Sequence, residues 1–144
     1  MQFTGDIKEI IKNRFGYNDE ELKEFIDNPR NQQVLSKYFE VRDKTFVIEV
    51  VASHGCASEH RVGDKIYLDS SACLLTKYSP KRICIYALSE IDKLVYAINE
   101  LIFAGVDPNE MRFNRLSCID AGLKCGGWGQ IVMEIRVEDR KKIE

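Results

Sequence analysis

Thr45-Phe46-Val47-Ile48-Glu49-Val50-Val51 is the stretch on which the fold turns. Six of its seven residues are β-branched or aromatic, the composition of a strand buried on a sheet rather than of a helix. It delivers the chain to His54-Gly55-Cys56-Ala57-Ser58-Glu59-His60, a loop that holds both histidines of the protein. Gly63-Asp64 then offers a turn and Lys65-Ile66-Tyr67-Leu68 a returning strand, so the loop is expected to close a long hairpin.

Before Asp43 the pattern is helical. Ile7, Ile10 and Ile11 recur at helical spacing up to Gly16, and Asn18 with Glu21 three residues later forms a capping box ahead of Leu22, Phe25 and Ile26. Asn28-Pro29 stops that helix and starts a third, which would carry Val34, Leu35, Tyr38 and Phe39. After the hairpin, Ser79-Pro80 is read as the N-cap and first residue of the main helix. Its apolar stripe runs through Cys84, Leu88, Ile91, Leu94, Val95, Ile98, Leu101 and Ile102, with Gly105 as a left-handed C-cap and Asp107-Pro108 as a stop.

Arg112 to Ile119 is a further candidate strand, and Ile131, Met133, Ile135 and Val137 alternate with polar residues as a half-exposed strand does. The expected class is α+β: a mostly antiparallel sheet packed on one long helix, with an N-terminal helical cap. The boundaries are 1–42 for the cap, 43–138 for the α+β domain and 139–144 for a charged tail.

Composition narrows the partners. At 144 residues the chain is long enough to bury a core of its own, and 21 basic against 23 acidic residues give a net charge of -2, which does not favour nucleic acid. Lys77, Lys81 and Arg82 make only a small basic cluster. Asp6, Lys8, Glu9 and Lys12 interrupt any apolar run near the start, and the longest apolar stretch, around Leu94 to Ala104, contains Asn99 and Glu100. Neither a signal peptide nor a membrane span is expected. Five cysteines, an odd count without a C-x-x-C pair, point to reduced thiols in a cytoplasmic protein.

Chemistry-bearing residues gather in two places. His54, Cys56 and His60 can supply two or three ligands to zinc or iron, although their spacing matches no standard finger; otherwise they are a polar strand connection with one packed thiol. Cys118 and Asp120 stand two apart at a strand end, where both can face one cavity. The loop that follows holds Cys125, Gly126, Gly127 and Trp128, a backbone able to approach a ligand closely and an indole able to stack on it, or simply a long hairpin loop with a tryptophan anchor. Cys84, near the start of the main helix, has the dipole that favours thiolate but also the core position where cysteine is commonly inert. Cys73 has no companion.

Gly55-x-Cys56-x-x-x-His60-x-Val62-Gly63-Asp64, the helix-start Cys84 and Cys118-x-Asp120-x-Gly122 together resemble a family of short proteins, mostly from anaerobic bacteria and archaea, with no assigned activity. The resemblance covers roughly Thr45 to Val137. It implies that Cys56, His60, Cys84 and Cys118 form one constellation, and it implies no substrate. The Cys125 to Gln130 loop and the helical cap depart from the shorter members.

Three functions follow as expectations. The first is a zinc or iron–sulfur site, redox or accessory to an anaerobic pathway, built from Cys56, Cys84 and Cys118 and completed by His60, His54 or Cys125. The second is metal-free thiol catalysis with Cys56 or Cys118 as nucleophile, His60 as base and Asp120 orienting the imidazole. The third is a non-catalytic subunit that docks to a larger protein or to a second copy, with Gly126, Gly127 and Trp128 contacting a partner or small ligand.

Overall fold

The computed structural model describes residues 5–140, which divide into two compact units at the boundary between Phe39 and Glu40. The first is helical: α1 (Gly5–Phe15), α2 (Asp19–Asp27) and α3 (Pro29–Ser36). The capping box is present, with the Asn18 side chain accepting from the Glu21 N–H and the Glu21 carboxylate accepting from the Asn18 N–H, both at 2.9 Å. Asn28 caps α3 with Pro29 at its first turn. Asn31 and Gln32 donate to the Phe25 and Ile26 carbonyls at 3.0 Å, satisfying the C-terminal end of α2. The third helix does not run on through Phe39 as expected. It ends at Ser36, Lys37 is its C-cap, and a short α4 (Tyr38–Arg42) follows.

The second unit is a four-stranded antiparallel sheet with one long helix on it. The strands are β1 (Lys44–His54), β2 (Lys65–Asp69), β3 (Arg115–Ser117) and β4 (Gln130–Asp139), in the order β2-β1-β4-β3, and the helix is α5 (Ile85–Phe103). Period-two alternation sends Phe46, Ile48 and Val50 of β1, Ile66 and Leu68 of β2, and Ile131, Met133, Ile135 and Val137 of β4 to one face. There they form a single apolar cluster with Ala87, Ile91, Leu94, Val95, Ile98 and Ile102 of α5. The opposite face carries charge. Arg136 reaches Glu49 and Glu138 at 2.7 Å each, and Arg115 reaches Glu134 at 2.7 Å.

Two boundaries differ from the sequence expectation for physical reasons. Ser79-Pro80 does not open α5, because the edge of β2 takes Ser79 instead: its hydroxyl accepts the Tyr67 N–H at 3.0 Å and donates to the Leu75 carbonyl at 2.9 Å. Leu75 N–H to the Tyr67 carbonyl (2.8 Å) and Asp69 N–H to the Cys73 carbonyl (2.9 Å) complete the cover of that edge. The helix begins five residues later, with Cys84 as N-cap. β3 is only three residues long, and beyond it other groups satisfy the outer edge of β4. The Asn114 carbonyl takes the Ile135 N–H, and the Asn109 side chain pairs with both backbone groups of Val137 at 2.8 and 2.9 Å.

Gly105 does take the left-handed conformation after α5, at φ 77°. The charged tail expected over 139–144 begins within β4 at Asp139, and residues 141–144 lie outside the described residues. Among the described residues no helix is long and apolar enough to cross a membrane.

Candidate functional site

The last residues of β1, the first of β4, the last of β3 and the first turn of α5 come together at one end of the second unit. A β-bulge decides which side chains of β1 face inward there. Val50 pairs with Met133 but Ala52 pairs with Val132, so Val51 is an extra residue and the alternation of β1 shifts by one. Ser53, opposite buried Ile131, therefore turns to the α5 face, and His54, opposite Gln130, turns away and is exposed. Without the bulge, Ala52 and His54 would occupy the inner face.

Ser53 fastens the loop that follows by donating from its hydroxyl to the His60 carbonyl at 2.6 Å. Gly55, at φ 64°, starts the loop against the backbone of Trp128, and a tight turn closes from the Glu59 N–H to the Cys56 carbonyl at 3.0 Å. Asp64 holds the far end: its carboxylate accepts the Arg61 N–H at 2.9 Å, and its carbonyl accepts the Val50 N–H at 2.9 Å. These constraints leave His60 only 5% exposed. Its Nδ1 lies 3.7 Å from the Asp64 carboxylate, and its Nε2 accepts the backbone N–H of Cys84 at 3.1 Å. An imidazole that accepts at Nε2 carries its proton on Nδ1, toward Asp64. Asp64, not Asp120, is thus the carboxylate beside the imidazole, and the imidazole acts on the Cys84 main chain rather than on a thiol.

Cys84 is half-buried at the N-terminus of α5. Burial opposes ionisation of its thiol, but the Ser58 hydroxyl and the N–H groups of Ala87 and Tyr86 outweigh it and hold the thiol below its ordinary pKa. The helix amides act on the sulfur as dipoles while the Ala87 N–H also bonds the Cys84 carbonyl at 3.1 Å.

Cys118 is also half-buried, but its sulfur is engaged. It accepts the Ile131 N–H and donates to the Asp120 carbonyl, both at 3.4 Å, at the end of the β3–β4 pair. The Asp120 carboxylate turns into its own loop, where it accepts the N–H groups of Gly122 (2.9 Å), Trp128 (3.0 Å) and Gly129 (3.1 Å). The N–H groups of Gly129, Gly122 and Trp128, in that order of weight, hold it below the usual carboxylate range. Gly127 packs so closely on this carboxylate, and Gly129 on the Gly55 carbonyl, that a Cβ at either would overlap those atoms. The loop is an ordered one that leaves Trp128 77% and Leu123 82% exposed. Cys125, in a 3-10 turn of that loop, and Cys73 are exposed.

Cys56, Cys84 and Cys118 all pack against the same apolar cluster. His54 and Cys125 face solvent, and among the described residues no three His, Cys, Asp or Glu side chains group so as to hold a metal ion. Sequence reading did not single out Ser53 and Ser58, whose hydroxyls act only once the bulge and the turn are in place. No family model, curated protein or solved structure matches the chain.

Proposed function

We propose that this is a cytoplasmic, cysteine-dependent protein whose reactive sulfur is Cys84. The observation that carries the reading is the position of this thiol. Cys84 occupies the N-cap position of α5, its main chain is anchored by buried His60, and the Ser58 hydroxyl and the first amides of the helix lower the pKa of the thiol against the effect of burial. Lowering the pKa makes this sulfur the readier nucleophile: as thiolate its lone pair forms the bond to an electrophilic centre, and the group displaced leaves with the old bonding pair. His60 serves in this reading as a positioning residue. Reduced thiols suit a cytoplasmic location, and all five cysteines are free.

Alkylation followed by peptide mapping from pH 6 to 9 tests the proposal. Cys84 is expected to react first and below about pH 8.5, the value of an unperturbed thiol. Equal reactivity at Cys84, Cys56 and Cys118 would overturn it, and stoichiometric zinc or iron in anaerobically prepared protein would return the site to a metal centre.

A second reading, a subunit that docks to a larger protein or a second copy, is favoured by the exposed Ile119, Leu123 and Trp128 on the ordered loop beside the site. Light scattering and co-purification test it. A monomer that turns over a substrate unaided would count against it.

A further inference from the structure

Past the full length of α5 from Cys84, about 28 Å along the helix, the second unit holds a cavity of about 380 Å³. Small-molecule sites run from about 300 to 1,000 Å³. Ile102, Pro108 and Val137 give this one an apolar lining, and Glu40 of α4, Lys44 of β1 and Asp107 give it a charged one. Every residue that lines it belongs to the second unit.

The donors around the cavity are engaged. The Lys44 ammonium bonds the Asp139 carboxylate at 2.8 Å, and the Gly105 and Val106 N–H groups close the end of α5 on the Ile102 and Leu101 carbonyls at 2.9 Å each. The Asn109 N–H bonds one oxygen of Asp107 at 2.9 Å, and the Asn109 side-chain amide bonds the Val137 carbonyl at 2.9 Å. Acceptor capacity and negative charge are left over. The second carboxylate oxygen of Asp107 makes no hydrogen bond among the described residues. Three carboxylates, Glu40, Asp107 and Asp139, stand around the single ammonium of Lys44. The C-terminal end of α5 also meets the cavity and adds its partial negative charge, with no basic residue in the last turn of the helix to offset it.

We propose that this cavity binds a small organic cation, a protonated amine on a short apolar chain, with its ammonium on the Asp107 carboxylate in the field of Glu40 and its chain against Ile102, Pro108 and Val137. An anion would have to displace Asp139 from Lys44 and then sit among carboxylates, whereas an ammonium brings the donors that the cavity lacks. The apolar half of the lining favours an organic cation over a bare metal ion, which takes oxygen ligands on all sides. The inference does not depend on the reading of Cys84.

The test titrates the full chain, labelled with nitrogen-15, with n-pentylammonium chloride at pH 7 and constant ionic strength, and follows the backbone amides by NMR. The amides of Gly105, Val106, Asp107 and Asn109 are expected to shift together and to saturate with one Kd, in the millimolar range for so small a probe. Pentanoate and 1-pentanol should bind at least about tenfold more weakly, since neither can donate a charge-assisted hydrogen bond. Asp107→Asn keeps an oxygen for the Asn109 N–H and should cost about tenfold in affinity; should that variant not fold, Glu40→Gln carries the same expected direction. Lys44→Met removes the cation that competes for these carboxylates and should tighten binding severalfold. Shifts that spread over the surface without saturating, pentanoate or pentanol bound as well as the amine, an unchanged Kd in Asp107→Asn, or weaker binding in Lys44→Met would each overturn the proposal.

Discussion

His60 is the residue whose replacement best separates a positioned thiol from a merely packed one. His60→Leu keeps an apolar side chain of similar bulk in a site 5% exposed but removes the Nε2 acceptor of the Cys84 N–H. That amide is then left without its partner at the start of α5, at about 1–3 kcal/mol for an unsatisfied buried group. The 3.7 Å contact to Asp64, whose side chain is 35% exposed, adds little, on the order of 0–1 kcal/mol. At about 4 °C per kcal/mol, the melting temperature should fall by about 4–12 °C. His60→Gln places an amide oxygen at nearly the reach of Nε2, so it should recover most of the loss. The assay is a calorimetric melt at pH 7, paired with the alkylation rate of Cys84. That rate should slow in His60→Leu, because a freed N-cap no longer holds the sulfur over the helix amides, and should be largely restored in His60→Gln. If Leu and Gln melt alike, or if the Leu variant leaves Cys84 reactivity unchanged, the anchoring argument is refuted.

Gly129→Ala drives a Cβ into the Gly55 backbone, where no flexible side chain can yield, so the urea midpoint should fall by the equivalent of about 3 kcal/mol; an unchanged midpoint would show that the two loops do not meet as described. Asp120 has a folded pKa below its unfolded value, so its contribution is complete above about pH 3.9 and is lost as pH falls through the folded value. Asp120→Ala should therefore lower stability at neutral pH and flatten the acid limb of a melting-temperature profile below about pH 4. Asn109→Ala removes both bonds to Val137 and should weaken the unit by about 1 kcal/mol, with faster amide exchange at Val137 as the local readout.

The strands and the long helix were legible because burial imposes a period. Phe46, Ile48 and Val50 alternate toward α5, and Ile91, Leu94, Val95, Ile98 and Ile102 recur at three and four residues. What sequence did not show were the places where two local preferences compete. Ser79-Pro80 carries a sound helix-start signal, yet the Tyr67 N–H on the edge of β2 and the Leu75 carbonyl beyond that strand offer its hydroxyl two bonds, and the helix start passes to Cys84, a residue with no strong capping preference of its own. A hydroxyl at position 79 reads the same for either use. Only the sheet decides which it serves.

The site depends on a choice of the same kind. That His54, Cys56 and His60 cluster is plain from their spacing, but which of them faces the thiols depends on one extra residue in β1. Val50-Val51-Ala52 carries no glycine to announce a bulge. The bulge turns Ser53 inward, Ser53 holds the His60 carbonyl, and His60 in turn holds the Cys84 amide, so the inward histidine is the one farther from the strand. A site of this build needs no ligand to assemble it, since each link in the chain from Val51 to Cys84 is a backbone register or a bond to a backbone group. The Cys84 main chain at its end is therefore positioned by the fold itself, and the variants that disturb it should be those at Gly129, Ser53 and His60 before any exposed cysteine.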